Sequence, residues 1–151
     1  MAIRKSDAVN SGLMPDFARA GVVLCRTGTY TVPGGDTKTF CTGTIQLVPV
    51  PNGAMILDWK LYYSVAIAGI TQCDLGMGDD HDYFMADFNM QTADVLTFNT
   101  DGVVARGAGS IMTKDDTIDV TIAKLPTKLV TDTVIVLHVF YKMTGVIDDE
   151  G

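Results

Sequence analysis

Histidine and cysteine are scarce: His81 and His138 are the only histidines, and Cys25, Cys41 and Cys73 the only cysteines, in 151 residues. Three thiols are an odd number, and their spacing matches neither a CxxC zinc knuckle nor a disulfide framework. They read as buried thiols of a chain made in a reducing cytoplasm. There is no GxSxG elbow to present a nucleophile. Gly76-Met77-Gly78 lacks the helix and lysine that a phosphate-cradling loop uses. No run of about eighteen uncharged apolar residues is present to span a bilayer, and the opening MAIRKSDAVNSG has no apolar core of a secretory signal. Positive charge is also short. Eleven Lys and Arg stand against eighteen Asp and Glu, a formal charge of −7. The cations are scattered, so nothing counters the long-range repulsion of a nucleic acid. These absences exclude a visible catalytic residue, a cofactor, a membrane span and a nucleic-acid partner.

What is present is apolar alternation. The organising stretch is Val48 to Val65, in which Pro49 and Pro51 break the preceding run and Asn52-Gly53 supplies a turn. After it Met55, Leu57, Trp59, Leu61, Tyr63 and Val65 alternate with Ala54, Ile56, Asp58, Lys60, Tyr62 and Ser64. Period two is a strand, and the first set predicts one apolar stripe facing a core. The mean hydropathy of +0.23 is high for a soluble chain of this size, and with no membrane span the excess points to subunit interfaces.

The rest divides into three parts. Met1 to Ala20 keeps neither a helical nor a strand period, and reads as an extended arm with Ile3, Val9, Leu13, Met14 and Phe17 as anchors on a neighbouring subunit. Residues 21–144 read as the domain. Gly21 to Thr27, continuing to Val32, is a strand that turns at Pro33-Gly34-Gly35-Asp36 and pairs antiparallel with Thr37 to Val48, where Gly43 marks a bulge or bend. Ala66 to Leu75 is a strand kinked at Gly69. Gly76 to Phe88 opens as a glycine- and acid-rich turn and runs into a short aromatic helical turn or irregular strand. Thr92 to Asn99 and Gly102 to Ala105 are short strands. In Thr117 to Ile122 apolar even positions alternate with polar odd ones, a half-buried strand. A loop over Leu125 to Thr131 precedes Asp132 to Met143, which is apolar on both faces and so central or at an interface. Residues 145–151 are an acidic tail. About eight strands without a helix predict an all-β fold, an antiparallel β-sandwich or jelly roll with an extended N-terminal arm.

Local chemistry is thin. Asp79, Asp80 and Asp82 sit on a glycine-bearing turn beside His81, the oxygen-rich setting a hard cation such as calcium uses, but the EF-hand spacing is absent and a solvated acidic turn is the commoner outcome. A metal-assisted hydrolase built on Asp79 to Asp87 is a third reading. His138, among Val136, Leu137, Val139 and Phe140, reads as a hydrogen-bonded core or interface imidazole. Tyr62 and Tyr83 are aromatic residues on which a sugar ring could stack.

Three segments in order carry a resemblance. Val48-Pro49-Val50-Pro51-Asn52-Gly53-Ala54-Met55-Ile56-Leu57-Asp58, then Asp74-Leu75-Gly76-Met77-Gly78-Asp79-Asp80-His81-Asp82-Tyr83-Phe84, then Thr113-Lys114-Asp115-Asp116-Thr117-Ile118-Asp119-Val120-Thr121 before a last apolar strand resemble the capsid decoration, or cement, proteins of tailed bacteriophages. The resemblance covers about Leu47 to Tyr141. It implies a sandwich or jelly-roll subunit, usually a homotrimer, that sits on the outside of the head and staples neighbouring major capsid protein subunits. It also implies assembly in the host cytoplasm, a place on the virion surface and no catalytic residues. The alternative is a tail or head-fibre β-domain binding a host glycan.

Overall fold

The computed structural model describes residues 2–6, 9, 22–32, 43–64, 72–89, 95–97, 109–123 and 132–144. Among them lie nine strands: β1 (Ala2–Lys5), β2 (Val23–Val32), β3 (Gly43–Val50), β4 (Ala54–Tyr63), β5 (Cys73–Met77), β6 (Asp80–Phe88), β7 (Val95–Thr97), β8 (Asp116–Ile122) and β9 (Thr133–Met143). They form two sheets, ordered β1-β3-β8-β5-β6 and β2-β9-β4-β7. The all-β sandwich that the alternation predicts is the fold that forms.

Cross-strand pairing corrects the expected path of the chain. β2 and β3 are not a hairpin: β2 pairs antiparallel with β9, and β3 pairs antiparallel with β8, in the other sheet. The arm is not without regular structure either, because Ala2–Lys5 adds to the first sheet as a strand parallel to β3, Ile3 opposite Thr44 and Lys5 opposite Gln46. Isolated apolar residues in a polar context gave this strand no periodic signal; it is held by main-chain bonds to a neighbour already in place. β6 extends the aromatic run after the acidic turn as strand, not as a helical turn. The turn at Pro33, the kink at Gly69, the strand at Gly102 to Ala105, the loop over Leu125 to Thr131 and the tail fall outside the described residues.

The core lies between the sheets. Ile45, Val48 and Val50 of β3, Ile118, Val120 and Ile122 of β8, and Leu75 of β5 face Ile56, Trp59 and Leu61 of β4 and Ile135, Leu137, Val139 and Tyr141 of β9, all buried. Each large side chain removed from water contributes about 1.5–3 kcal/mol, and β9, central in its sheet, alternates buried and half-buried along all eleven residues.

Two β-bulges decide which residues reach this core. In β4 Ile56 opposes Tyr141 and Asp58 opposes Phe140, so Leu57 is left over. Before the bulge Ala54 and Ile56 are buried, and after it Trp59, Leu61 and Tyr63. The expected stripe of odd residues therefore holds only from Trp59 onward, and Met55 turns outward because one extra residue reverses the pleat. In β3 the skipped residue is Leu47, between Gln46 and Val48. The irregularity expected at Gly43 lies here instead.

The Leu47 bulge also closes one side of the sandwich. Its skipped carbonyl accepts a hydrogen bond from Ser6 Oγ, while the Ser6 N–H donates to Gln46 O at 2.7 Å. Gly28 of β2 lies directly on that carbonyl, and a Cβ there would collide with it. We expect Gly28→Ala to destabilise the fold by on the order of 3 kcal/mol, and Ser6→Ala, which orphans a buried carbonyl, by about 1–2 kcal/mol. Urea unfolding of the two variants checks both values.

Candidate functional site

With the core between the sheets, function is left to the two outer faces and the turns. The outer face of the first sheet is polar yet buried. Thr44 and Thr121, in register across β3 and β8, share a hydrogen bond of 3.1 Å. His81 Nδ1 lies 3.4 Å from Thr121 Oγ1. One row along, Asp119 is paired with Gln46 and Gly76 and is only 5% exposed. The reason is on β6. Between the pairs Leu75–Met85 and Met77–Asp80 its chain bulges over Gly76, so closely that a Cβ there would strike the Asp80 and His81 backbone. Period two had placed Asp119 and Thr121 on a wet face; a neighbouring backbone covers them. A glycine inside a strand is the one signal of such an approach that the sequence carried.

Asp119 is consequently an unusual carboxyl. Its Oδ1 has no hydrogen-bond donor among the described residues. Burial pushes its pKa up to about 7; the Thr117 hydroxyl opposes the shift, and the Asp116 charge adds to it. Cys73, buried in β5, has its thiol pushed up to about 12, by burial first and by the Asp74 charge second, which makes it inert as a nucleophile. Cys25, in contrast to the expected burial, is exposed on β2, and Cys41 lies outside the described residues.

The outer face of the second sheet is different. Strand register sets Val23, Lys142 and Met55 in one row, extended by Ile111, which bridges Met55. The next rows are Cys25, Phe140 and Asp58, then Thr27, His138 and Lys60, then Thr29, Val136 and Tyr62. Val23 and Ile111 are 60% and 43% exposed. His138 Nδ1 is 2.7 Å from Thr27 Oγ1, and its ring meets Tyr62 edge-on at 5.4 Å. Lys60 Nζ sits 6.0 Å from the centre of the Phe140 ring. His138 is thus a hydrogen-bonded imidazole on a half-buried face.

The candidate residues fall as follows. Ile3 is on β1 and exposed, while Val9 is half-buried, its N–H 3.2 Å from Ser6 Oγ. Leu13, Met14 and Phe17 lie outside the described residues. Asp79 is in the β5–β6 turn, Asp80 opens β6 and Asp82 follows, all exposed. Asp79 and Asp80 border a cleft of about 240 Å³ whose other wall includes Ile111, Met112 and Lys114. Lys114 pairs with Asp116 at 3.4 Å. Among the described residues no three His, Cys, Asp or Glu side chains come together as metal ligands would, and no helix is long and apolar enough to cross a membrane. Tyr62 and Tyr83 do not share a platform: Tyr62 is on the second sheet, whereas Tyr83 is on the first, packed against the core with its hydroxyl 2.6 Å from Ser110 Oγ.

No protein-family model and no curated protein matches this chain. Solved structures do share its fold. A chain of the capsid of Ralstonia phage GP4 superposes with a TM-score of 0.67 at 20% identity, covering 94% of this chain and 98% of that one. A chain of the capsid asymmetric unit of cyanophage Pam1 gives 0.61 at 13% identity, over 85% of this chain and 90% of that one. A chain of the acidic stable capsid structure of Helicobacter pylori bacteriophage KHP30 gives 0.56 at 18% identity, over 85% and 93%. At these identities the likeness is one of fold.

The Asp119 carboxyl generates a pH dependence with a definite sign. Its pKa is raised on folding, so its contribution to stability is whole below about pH 4 and is lost as pH rises through about 7. Asp119→Asn should therefore match the wild type at about pH 4 and exceed it by a few kcal/mol at about pH 8. Urea midpoints of both proteins at the two pH values test this.

Proposed function

We propose that this chain is a structural protein of a tailed-phage virion, a decoration or cement protein that binds the outside of the head and staples neighbouring major capsid protein subunits. In this reading it assembles in the host cytoplasm as a homotrimer, remains on the virion surface and has no catalytic role. The observation that carries the reading is coverage. The fold likeness to the Ralstonia phage GP4 capsid chain runs over 94% of this chain and 98% of that one, which supports a counterpart of that chain better than a sandwich core shared by chance. The order of the three sequence segments that resemble cement proteins agrees with it.

The physical character of the molecule supports the same reading. Thr44 and Thr121 on the first sheet are bonded to each other, the Cys73 thiol is buried and inert, and among the described residues the exposed large apolar ones, Ile3, Val22, Val23 and Ile111, lie on edges and an outer face open to another subunit. Such a surface binds protein. The amino-terminal segment is the part of the subunit assigned to contact with a neighbour. Ile3 is its described anchor, 64% exposed on the edge strand β1.

The test is cosedimentation with expanded heads that lack the protein. Saturable binding is expected, and absence of binding at any ratio overturns the capsid role. Ile3→Asp, which alters an exposed residue and should leave the unfolding midpoint within about 0.5 kcal/mol of wild type, is expected to lower head occupancy. Unchanged occupancy would remove the edge of β1 from the contact.

A further inference from the structure

The second sheet presents two lysines that make no ion pair among the described residues. Lys142 and Lys60 lie on its outer face, two rows apart on neighbouring strands, with Val23, Met55, Ile111 and Phe140 around them and, in the row between, the half-buried Asp58, whose carboxylate accepts a hydrogen bond from the Trp59 N–H. Neither lysine is paired with a carboxylate among the described residues. Lys60 instead reaches toward the Phe140 ring. In a chain of net charge −7, two lysines against the one carboxylate of Asp58 leave this face locally cationic as well as apolar, and an acidic surface complements it.

The chain carries that complement elsewhere on its own surface. The β5–β6 turn and the start of β6 present Asp79 and Asp82, both exposed and neither paired with a cation among the described residues, while Lys114, across the cleft, is held by Asp116. The turn flanks the cleft that Ile111 enters, so the acidic turn and the cationic face are distinct patches that adjoin across one end of the sandwich. A subunit with two different, mutually complementary patches associates head to tail, and such an interface closes into a ring when the rotation allows.

We propose that the outer face of the second sheet is a self-association surface that takes the acidic β5–β6 turn of a second copy, Lys142 and Lys60 meeting Asp79 and Asp82 over the apolar ground of Val23, Met55 and Ile111. This rests on the homotrimeric part of the functional reading and not on attachment to a head. Repeated around three subunits, the contact buries the exposed Val23 and Ile111 in each and leaves the edge of β1 free for another partner.

The full chain, purified without heads, tests it by sedimentation equilibrium. The wild type is expected to sediment at three times the 16.2 kDa subunit mass in dilute salt and to dissociate as salt rises. Lys142→Glu and Asp79→Lys should each weaken association at least about tenfold, as should Ile111→Ser, with circular dichroism reporting an intact sandwich. The combination Lys142→Glu with Asp79→Lys in one chain restores opposite charges across the contact and should recover the assembly. A wild type that is monomeric at about 100 µM, or an assembly indifferent to the reversals, overturns the inference. So does a monomeric wild type whose Lys142→Glu variant loses head binding, which would assign the face to the capsid subunit. Assembly with the expected reversal pattern but no binding to heads would uphold it while overturning the capsid role.

Discussion

A sheet with one buried side can hold only residues whose parity is right, and every strand of this molecule answers to that constraint. β3 and β4 satisfy it only by each carrying one residue too many. Skipping Leu47 lets Ile45 and Val48 both face the core, and skipping Leu57 does the same for Ile56 and Trp59. The extra residues are not idle. The carbonyl freed at Leu47 is the point at which β1 and β2 are tied to β3, through the Ser6 hydroxyl on one side and the bare backbone of Gly28 on the other. The bulge at Leu57 turns Met55 outward into the row that Val23, Lys142 and Ile111 complete. Both the closure of the sandwich and the character of its outer face follow from two departures from strict alternation.

The two outer faces share this origin but differ in chemistry. On the first sheet the bulged course of β6 lies across Gly76 and covers the hydrogen-bonded Thr44 and Thr121, which the exposed His81 approaches from outside, and keeps the Asp119 carboxyl from water. A buried charge is costly, and the raised pKa of Asp119 expresses that cost. On the second sheet Val23 and Ile111 stay exposed, with the half-buried Lys60 and Lys142 on the same face.

Particular residues show how far the sequence could be read. The strands β8 and β9 were legible because Ile118, Val120 and Ile122, and Ile135, Leu137, Val139 and Tyr141, hold an unbroken period of two. β1 was not, because four residues carry too little pattern and its pairing is with a strand about forty residues away. Ile3 and Val9 could be named from composition as candidate anchors, but that Ile3 sits on an edge strand and Val9 beside the Ser6 hydroxyl depended on that pairing. The acid turn was visible as Asp79, Asp80 and Asp82, whereas its position beside the Ile111 cleft was not. Tyr62 and Tyr83 show the reverse error: alike in sequence as exposed aromatic residues, they belong to different sheets.

What the sequence determined alone is the kind of structure: alternation, turn residues and the lack of helical periods point to an all-β fold, a sandwich or jelly roll, since side-chain direction in a strand is a local property. Which strands pair, where the pleat reverses and which polar residues are covered were decided by tertiary structure. Those depend on hydrogen bonds and backbone approaches between segments far apart in the chain, as when Leu47 meets Gly28 and Ser6, and no local pattern encodes a meeting of that kind.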